Sequence, residues 1–256
     1  ECKRLVGTIK PDLINVHYAT GYGLLASLIS YKPTLISVWG SDIYDFPNKS
    51  PFHKWLLKYN LQSATAVAST SKSMAREVSK ITPKVKIFLT PFGIDTDLFL
   101  NKKGPNKRAK VVVGTVKAME EIYGVDLLIR AFRVVVKELG SEFDVILEIT
   151  GGGTQLTHLK KLVVECGLCS RVVFNGSVAH NTVVNYLNRL DIYVALSRFE
   201  SFGVAILEAS ACEIPVVVSD ADGPAEVTLN NVTGYVVPRG DITAAANAII
   251  HLIQKP

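Results

Sequence analysis

The stretch SRFESFGVAILEASACEIPVVVSDADGPAE, residues 197–226, decides how this chain folds. The run before it, IYVAL (192–196), is apolar and β-rich, SRFESFG is small and polar, and VAILEASA is made of helix formers. The order is therefore strand, loop, helix. PVVVSD then reads as another strand leading to a second Gly/Pro turn with Gly223, Pro224 and Glu226. Loops of this kind lie at the carboxyl ends of parallel strands, where open α/β sheets bind ligands. Backbone N–H groups at Ser201, Phe202, Gly203 and Val204 would open the helix and face that crevice with the positive end of its dipole, a seat for phosphate or sugar hydroxyls. Gly203 lets the backbone approach a ligand closely.

Two carboxylates, Glu200 and Glu208, stand eight residues apart across this junction. Eight residues of helix rise roughly 12 Å, so the pair can reach opposite ends of one elongated ligand. A carboxylate accepts hydrogen bonds from vicinal hydroxyls, which both hexoses and riboses present. A nucleotide sugar has these parts in order: hexose, diphosphate, ribose. For an arbitrary E-x7-E pair the ordinary reading is a helix cap and a solvated helix residue. The strand, the glycine-containing loop and the helix around this one supply the context that a motif needs.

A chain of 256 residues is long enough for one large or two small domains, and 48% hydrophobic with 20% charged residues is an ordinary globular composition. No apolar run reaches the 18 or more residues of a membrane span. The chain opens on neither a signal peptide nor Met, which points to a piece of a longer protein. The net charge of +5 hides an asymmetry: residues 1–110 hold 17 Lys/Arg against 7 Asp/Glu, and residues 111–256 hold 11 against 16. A basic front half either holds an anionic membrane surface or lipid phosphate, or is a solvated lysine face, and the dispersion of the lysines favours the second. Nucleic acid is disfavoured, since no basic stripe interleaved with aromatics stands out.

Cys166 and Cys169 form a lone C-x-x-C without the further ligands a zinc site needs, so buried or packing thiols are expected and no metal is implied. Four cysteines fit a reducing cytosol.

Runs 12–16, 34–40, 64–70 and 85–90 are β-rich, and helix-like stretches lie between them, which predicts parallel βαβ units in the front half. His17 ends the first of these strands, where a lone histidine is more often a core or surface residue than a ligand. SVWGSD, with Trp39, Ser41 and Asp42, resembles a second cleft-lining turn, with ordinary turn chemistry at Gly40 and Ser41 as the alternative. TPFGIDTDLF breaks the last strand, and NKKGPNKRAK is a polar linker. The expected division is 1–100, a linker over 101–109, and a second domain over 110–256. In that domain KVVVGTVK runs from strand into loop, and Lys117 is the base in that loop, either facing a ligand's charge or solvated. Gly152 and Gly153 lie in a Gly-rich turn that lacks the G-K-[ST] of a P-loop, a weak phosphate signal.

Taken together, residues 197–227, FLTPFGIDTDLF (88–99) and NNVTGYVVPRGD (230–241) resemble the retaining nucleotide-sugar glycosyltransferases of family four, which have the GT-B architecture of two Rossmann-like domains. The resemblance implies an α/β protein with an incomplete N-terminal domain, a nucleotide-diphosphate sugar as donor substrate, no separate cofactor, and a hydroxyl acceptor on a glycan or a lipid-linked molecule. By matching position Glu200 would contact the donor sugar and Glu208 the ribose, with the amides near Phe202 and Gly203 on sugar and diphosphate. Gly176 to Val178 would meet the base, and His17 would contact the sugar from the first domain. The family's Arg after the first glycine and Lys before the next are Thr115 and Tyr123 here, so Lys117 is left to neutralise the diphosphate. Two rivals stay open: a nucleotide-sugar epimerase on the same scaffold, and a binding module without turnover. The compartment expected is the cytoplasm, with peripheral membrane contact through the basic half as the open alternative.

Overall fold

The computed structural model describes residues 1–102 and 110–255, so residues 103–109 of the expected linker lie outside the described residues. The chain divides into two compact units, Glu1–Phe92 and Gly93–Pro256. Both are α/β, and every strand pairing in either is parallel.

The first unit runs α1 (Cys2–Ile9), β1 (Ile14–His17), α2 (Gly21–Ile29), β2 (Thr34–Val38), α3 (Ser41–Tyr44), α4 (Pro51–Ser63), β3 (Ala66–Ser69), α5 (Lys72–Ile81) and β4 (Lys86–Leu89). Its strands lie in chain order, β1-β2-β3-β4. Parallel crossovers are almost always right-handed, so three successive steps in one direction place the connecting helices on one face of the sheet. That face holds the core: Val16, Ile36, Val38 and Val67 from the strands meet Leu57, Leu61, Met74 and Val78 from the helices. Ser50 and Ser71 cap α4 and α5 by accepting from the amides of His53 and Met74. α1 has no buried residue.

The second unit runs β5 (Lys110–Val116), α6 (Val125–Leu139), β6 (Asp144–Thr150), α7 (Leu156–Glu165), β7 (Val172–Gly176), α8 (Val183–Leu187), β8 (Ile192–Ala195), α9 (Val204–Ala211), β9 (Val216–Ser219), α10 (Asp222–Val227), β10 (Gly234–Val237) and α11 (Ile242–Gln254). The sheet order is β10-β9-β8-β5-β6-β7. The chain winds outward from β5 to β7, returns, and winds the other way from β8 to β10. The reversal falls between β5 and β8, and there the crossovers leave on opposite faces and open a crevice at the carboxyl ends of the strands.

Two cores cover the two faces, and single strands feed both, as alternating side chains must. On β8, Ile192 and Val194 join the α6, α7 and α11 side, while Tyr193 and Ala195 join the α8 and α9 side. Phe99, 1% exposed, belongs to the latter core. Burying such a ring is worth about 2–3 kcal/mol. Residues 98–102 are held there as well: Asp95 Oδ1 accepts from the amides of Asp97 and Leu98, Asn101 bonds Glu213, and the amide of Lys102 bonds Asn188. The units thus part ahead of TDLF, whose Phe belongs with the second.

The second Gly/Pro turn expected after PVVVSD is the short helix α10. Of the two thiols expected to be buried or packing, Cys166 is partly buried and packs against the core, but Cys169 is exposed. The short C-x-x-C follows the end of α7, where Cys169 faces outward. The exposed side of α4 gathers Phe52, Trp55 and Tyr59 in one row, with Lys54 and Lys58 on an adjoining strip, a grouping that the helical period sets and the linear order does not display.

Candidate functional site

Lys117 leaves the end of β5 and Glu200 the loop after β8, the two strands that flank the reversal. Their side chains meet there: Lys117 Nζ donates to Glu200 Oε1, and each side chain is only 10% exposed. The other carboxylate oxygen, Oε2, accepts from Ser197 Oγ at 2.7 Å. Ser197 is fully buried, and its carbonyl is anchored in turn by Ser219 Oγ at 2.6 Å, so the end of β9 steadies the loop after β8. The Lys117 ammonium also lies 4.7 Å from the centroid of the Tyr123 ring. Where the resemblance puts a second cation, this chain supplies an aromatic face to the first. A cation and an anion taken so far out of water persist only as a pair, or when each finds another partner of opposite charge.

Glu208 sits on α9 and is 5% exposed. His180 Nε2 donates to its Oε1 at 2.9 Å from the short helical turn after β7, and the edge of the His180 ring meets Phe99 at 5.7 Å between centroids. Because α9 begins only at Val204, Glu200 lies in the loop and Glu208 on the second turn of the helix. Both carboxylates act on one buried phenol. Burial first, then the charges of Glu200 and Glu208, push the Tyr193 hydroxyl far above its ordinary value, and that hydroxyl donates to the Val116 carbonyl at 3.3 Å. Glu200 and Glu208 belong to one crossover, from the end of β8 into α9, and the fully buried Tyr193 of β8 lies within electrostatic reach of both.

The glycines shape the backbone around this pair. Gly203 has φ 104° and precedes α9, and Gly223 brings α10 so close that a Cβ there would sit 2.2 Å from the Phe202 nitrogen. The Gly223 amide donates to the Glu200 carbonyl at 3.0 Å, closing the loop from the other side. Phe202 is buried, and Ser201 and Val204 are partly exposed at the start of α9.

The turn with Gly152 and Gly153 does something the sequence did not announce. The Met119 amide donates to the Gly152 carbonyl, and the Gln155 amide donates to the Met119 carbonyl, at 2.8 and 2.9 Å. A Cβ at Gly153 would sit 2.5 Å from the Met119 carbonyl oxygen, and one at Gly152 would sit 2.4 Å from Ser177 Oγ. These glycines let the turn zip against the loop that carries Lys117. Glu120, drawn below its ordinary value by the Thr154 side-chain and backbone hydrogen bonds, fastens the same two loops. Gly176 (φ 74°) and Val178 flank Ser177 after β7, and a Cβ at Gly176 would meet nothing within 4 Å.

Arg198 anchors the loop after β8 to the start of α6. Its two terminal nitrogens reach the two Asp126 oxygens at 2.8 and 2.7 Å, and it also donates to the Glu121 carbonyl at 2.8 Å. Burial would raise the Asp126 carboxyl, but hydrogen bonds and charge from Arg198, with two backbone amides, bring it below the usual range.

In the first unit His17 closes β1, bonds Asn15 Nδ2 at 3.3 Å through its Nε2 atom and lies 5.5 Å from the Trp39 ring, which in turn lies 5.3 Å from Phe92. Asp42, 1% exposed, accepts from the amides of Ala19, Trp39 and Gly40 at 3.0, 3.0 and 2.9 Å. SVWGSD therefore runs from the end of β2 into the start of α3, where Asp42 ties it to the loop after β1 and takes the place of the expected turn.

Of the expected residues, Lys117 and Glu200 meet, while Glu208 pairs with His180 and not with either of them. Ser197, Tyr193 and His180 were not anticipated in these roles. Only the small residue opening SRFE and the histidine opening the segment after NGSVA hinted at the first and last.

The family model for glycosyl transferases group 1 matches residues 97–256, and one for glycosyl transferase 4-like proteins matches residues 1–71. The chain is 26% identical over 264 residues to the N-acetyl-alpha-D-glucosaminyl L-malate synthase of Bacillus anthracis, covering 95% of this chain and 65% of that protein. It is 29% identical over 199 residues to a GDP-mannose-dependent alpha-(1-6)-phosphatidylinositol monomannoside mannosyltransferase of Mycolicibacterium smegmatis, covering 71% of this chain and 51% of that protein. The chain thus spans between about half and two thirds of these relatives. Among solved structures, sucrose-phosphate synthase from Thermosynechococcus elongatus superposes with a TM-score of 0.80 at 21% identity, over 100% of this chain and 67% of that one. Anabaena HepE in complex with UDP superposes with a TM-score of 0.80 at 21% identity, over 98% and 71%.

Proposed function

The chain belongs to the glycosyl transferases group 1, with the two Rossmann-like units of the GT-B fold, and from that premise we propose that it moves a sugar from a nucleotide-diphosphate sugar to a hydroxyl acceptor. The observation that carries this reading is the meeting of Lys117 and Glu200 at the sheet reversal, with Glu208 buried on the helix that starts there. Relatives named for N-acetylglucosaminyl and mannosyl transfer, and a neighbour solved with UDP, support a donor of this class.

In this reading the diphosphate takes over the Lys117 ammonium. Glu200 is released to accept hydrogen bonds from the sugar hydroxyls while Ser197 holds its other oxygen. Glu208 takes the ribose hydroxyls in place of His180. The amides at the start of α9, at Ser201, Phe202, Gly203 and Val204, face the sugar and diphosphate, and the backbone of Gly176 to Val178 meets the base. Gly152 and Gly153 act by holding the Lys117 loop. As the donor bond breaks, negative charge grows on the departing diphosphate, and a fixed ammonium with helix-terminal amides stabilises it without reorganisation. Retention of the anomeric configuration, His17 as a contact to the sugar, and an acceptor on a glycan or lipid-linked molecule follow from the family resemblance. The low count of four cysteines fits a cytoplasmic setting.

Calorimetric titration with UDP, GDP and their sugar conjugates, followed by an assay for released nucleotide, tests the reading. Glu208→Ala is expected to weaken the free nucleotide and the conjugate alike, by roughly 10- to 100-fold, as expected for a charged hydrogen-bond partner. Glu200→Gln should weaken the sugar-bearing ligand selectively. Equal losses for both ligands in both variants would remove the assigned roles, and binding without release would leave a binding module.

A further inference from the structure

We propose that the outer face of α4 docks this protein onto a lipid surface bearing anionic headgroups. Phe52, Trp55 and Tyr59 are 62%, 58% and 43% exposed there. Their rings form a row: Phe52 stacks 5.9 Å from Trp55 at 29°, and Trp55 stacks 5.8 Å from Tyr59 at 15°. Spacings of three and four residues hold the row on one side of the helix. Lys54 and Lys58, also exposed, repeat the four-residue spacing along the adjoining strip, and α4 contains no acidic residue. The opposite side of the helix is spent on the core, through Leu57, Asn60 and Leu61. α2 packs beside α4 and leaves Tyr22, Leu25 and Leu28 exposed, at 68%, 41% and 61%. The unit that carries both helices, Glu1–Phe92, holds 12 Lys/Arg against 5 Asp/Glu, a net +7.

Large apolar groups gathered on a surface mark a place that something covers. The chemistry of the rings and the charge beside them choose lipid. Indole and phenol rings combine an apolar body with one polar atom, the amphipathic build that settles at headgroup depth. The lysine strip beside them is complementary to an anionic leaflet, where each cation near the surface adds to the attraction. No helix among the described residues is long and apolar enough to cross a membrane, so the contact is a surface one. It uses no residue of the Lys117 site and stands or falls separately from the sugar-nucleotide reading.

The test is co-sedimentation of the whole chain with vesicles of phosphatidylcholine alone and of phosphatidylcholine with phosphatidylserine. Binding is expected to the anionic vesicles only, and to weaken with added salt. The triple variant Phe52→Ser, Trp55→Ser, Tyr59→Ser should lose roughly tenfold or more in partitioning, and Lys54→Glu with Lys58→Glu a comparable amount. Circular dichroism verifies that these surface variants fold, and unchanged nucleotide titration separates docking from the donor site. In Trp39→Phe, which leaves Trp55 as the remaining tryptophan, emission should shift to the blue on anionic vesicles. No binding at low salt, equal binding to neutral vesicles, an unaffected triple variant, preference for a single-stranded oligonucleotide, or self-association through α4 without vesicle binding would each overturn the proposal.

Discussion

Asp42 and Glu200 are the same kind of group in much the same kind of place, a nearly buried carboxylate a few residues past the end of a parallel strand, and they are held in opposite ways. Asp42 accepts from three backbone amides across two loops. Those donors have no alternative when the carboxylate leaves, so its work is structural. Glu200 accepts from two side chains, Lys117 and Ser197, which can turn to another partner. The difference follows the sheets. In the first unit the strands succeed one another in chain order, and the loops after β1 and β2 knit to each other. In the second unit the order reverses, and charged side chains from β5 and β8 face one another across the opening.

The comparison breaks most visibly at Asp42. Asp42→Ala should cost about 3–5 kcal/mol, since three amides lose a charged acceptor in a dry place. Chemical denaturation with hydrogen exchange on the first unit measures this, and a loss below about 1 kcal/mol would show that the amides find other acceptors. Next comes Lys117→Met. Here the expected change is in binding, about 2 kcal/mol or roughly 30-fold in affinity for a nucleotide-diphosphate sugar by calorimetry. Unchanged affinity would reduce the ion pair to the same structural role as Asp42.

The smallest effect sharpens the contrast at a third carboxylate. Asp126 is bound bidentately by Arg198, and its folded value lies below the ordinary 3.8. A depressed carboxyl stabilises the fold fully above its unfolded value, and the gain disappears as pH falls through the lower folded one. Asp126→Asn should therefore cost about 1 kcal/mol at neutral pH and progressively less below the ordinary aspartate range, in denaturation followed against pH. A pH-independent difference would mean that the shape of the pair matters and its charge does not.

Much of this was legible in the residues. IYVAL, SRFESFG and VAILEASA fold as strand, loop and helix because apolar β-branched runs and helix formers differ in local preference, and tertiary packing did not override it. Lys117 was legible as the base in its loop, and Glu200 and Glu208 from their spacing across a junction. His180 was not: it meets Glu208 from a segment 28 positions away, after a different strand. Gly152 and Gly153 were read as a phosphate turn, yet the crowding that makes them necessary comes from Met119, Glu120 and Ser177 in other loops. The aromatic row on α4 was hidden in plain sequence because only helical winding brings positions 52, 55 and 59 together.

The sequence by itself determined the alternation of strands and helices, the parallel α/β class, and the chemical identity of the loop between β8 and α9, because these depend on neighbours within a few residues. Only the tertiary structure decided which strands lie side by side. That order made one buried carboxylate a clamp on amides and another the partner of a lysine, since a group's role is set by the donors within about 3 Å of it, and those come from anywhere in the chain.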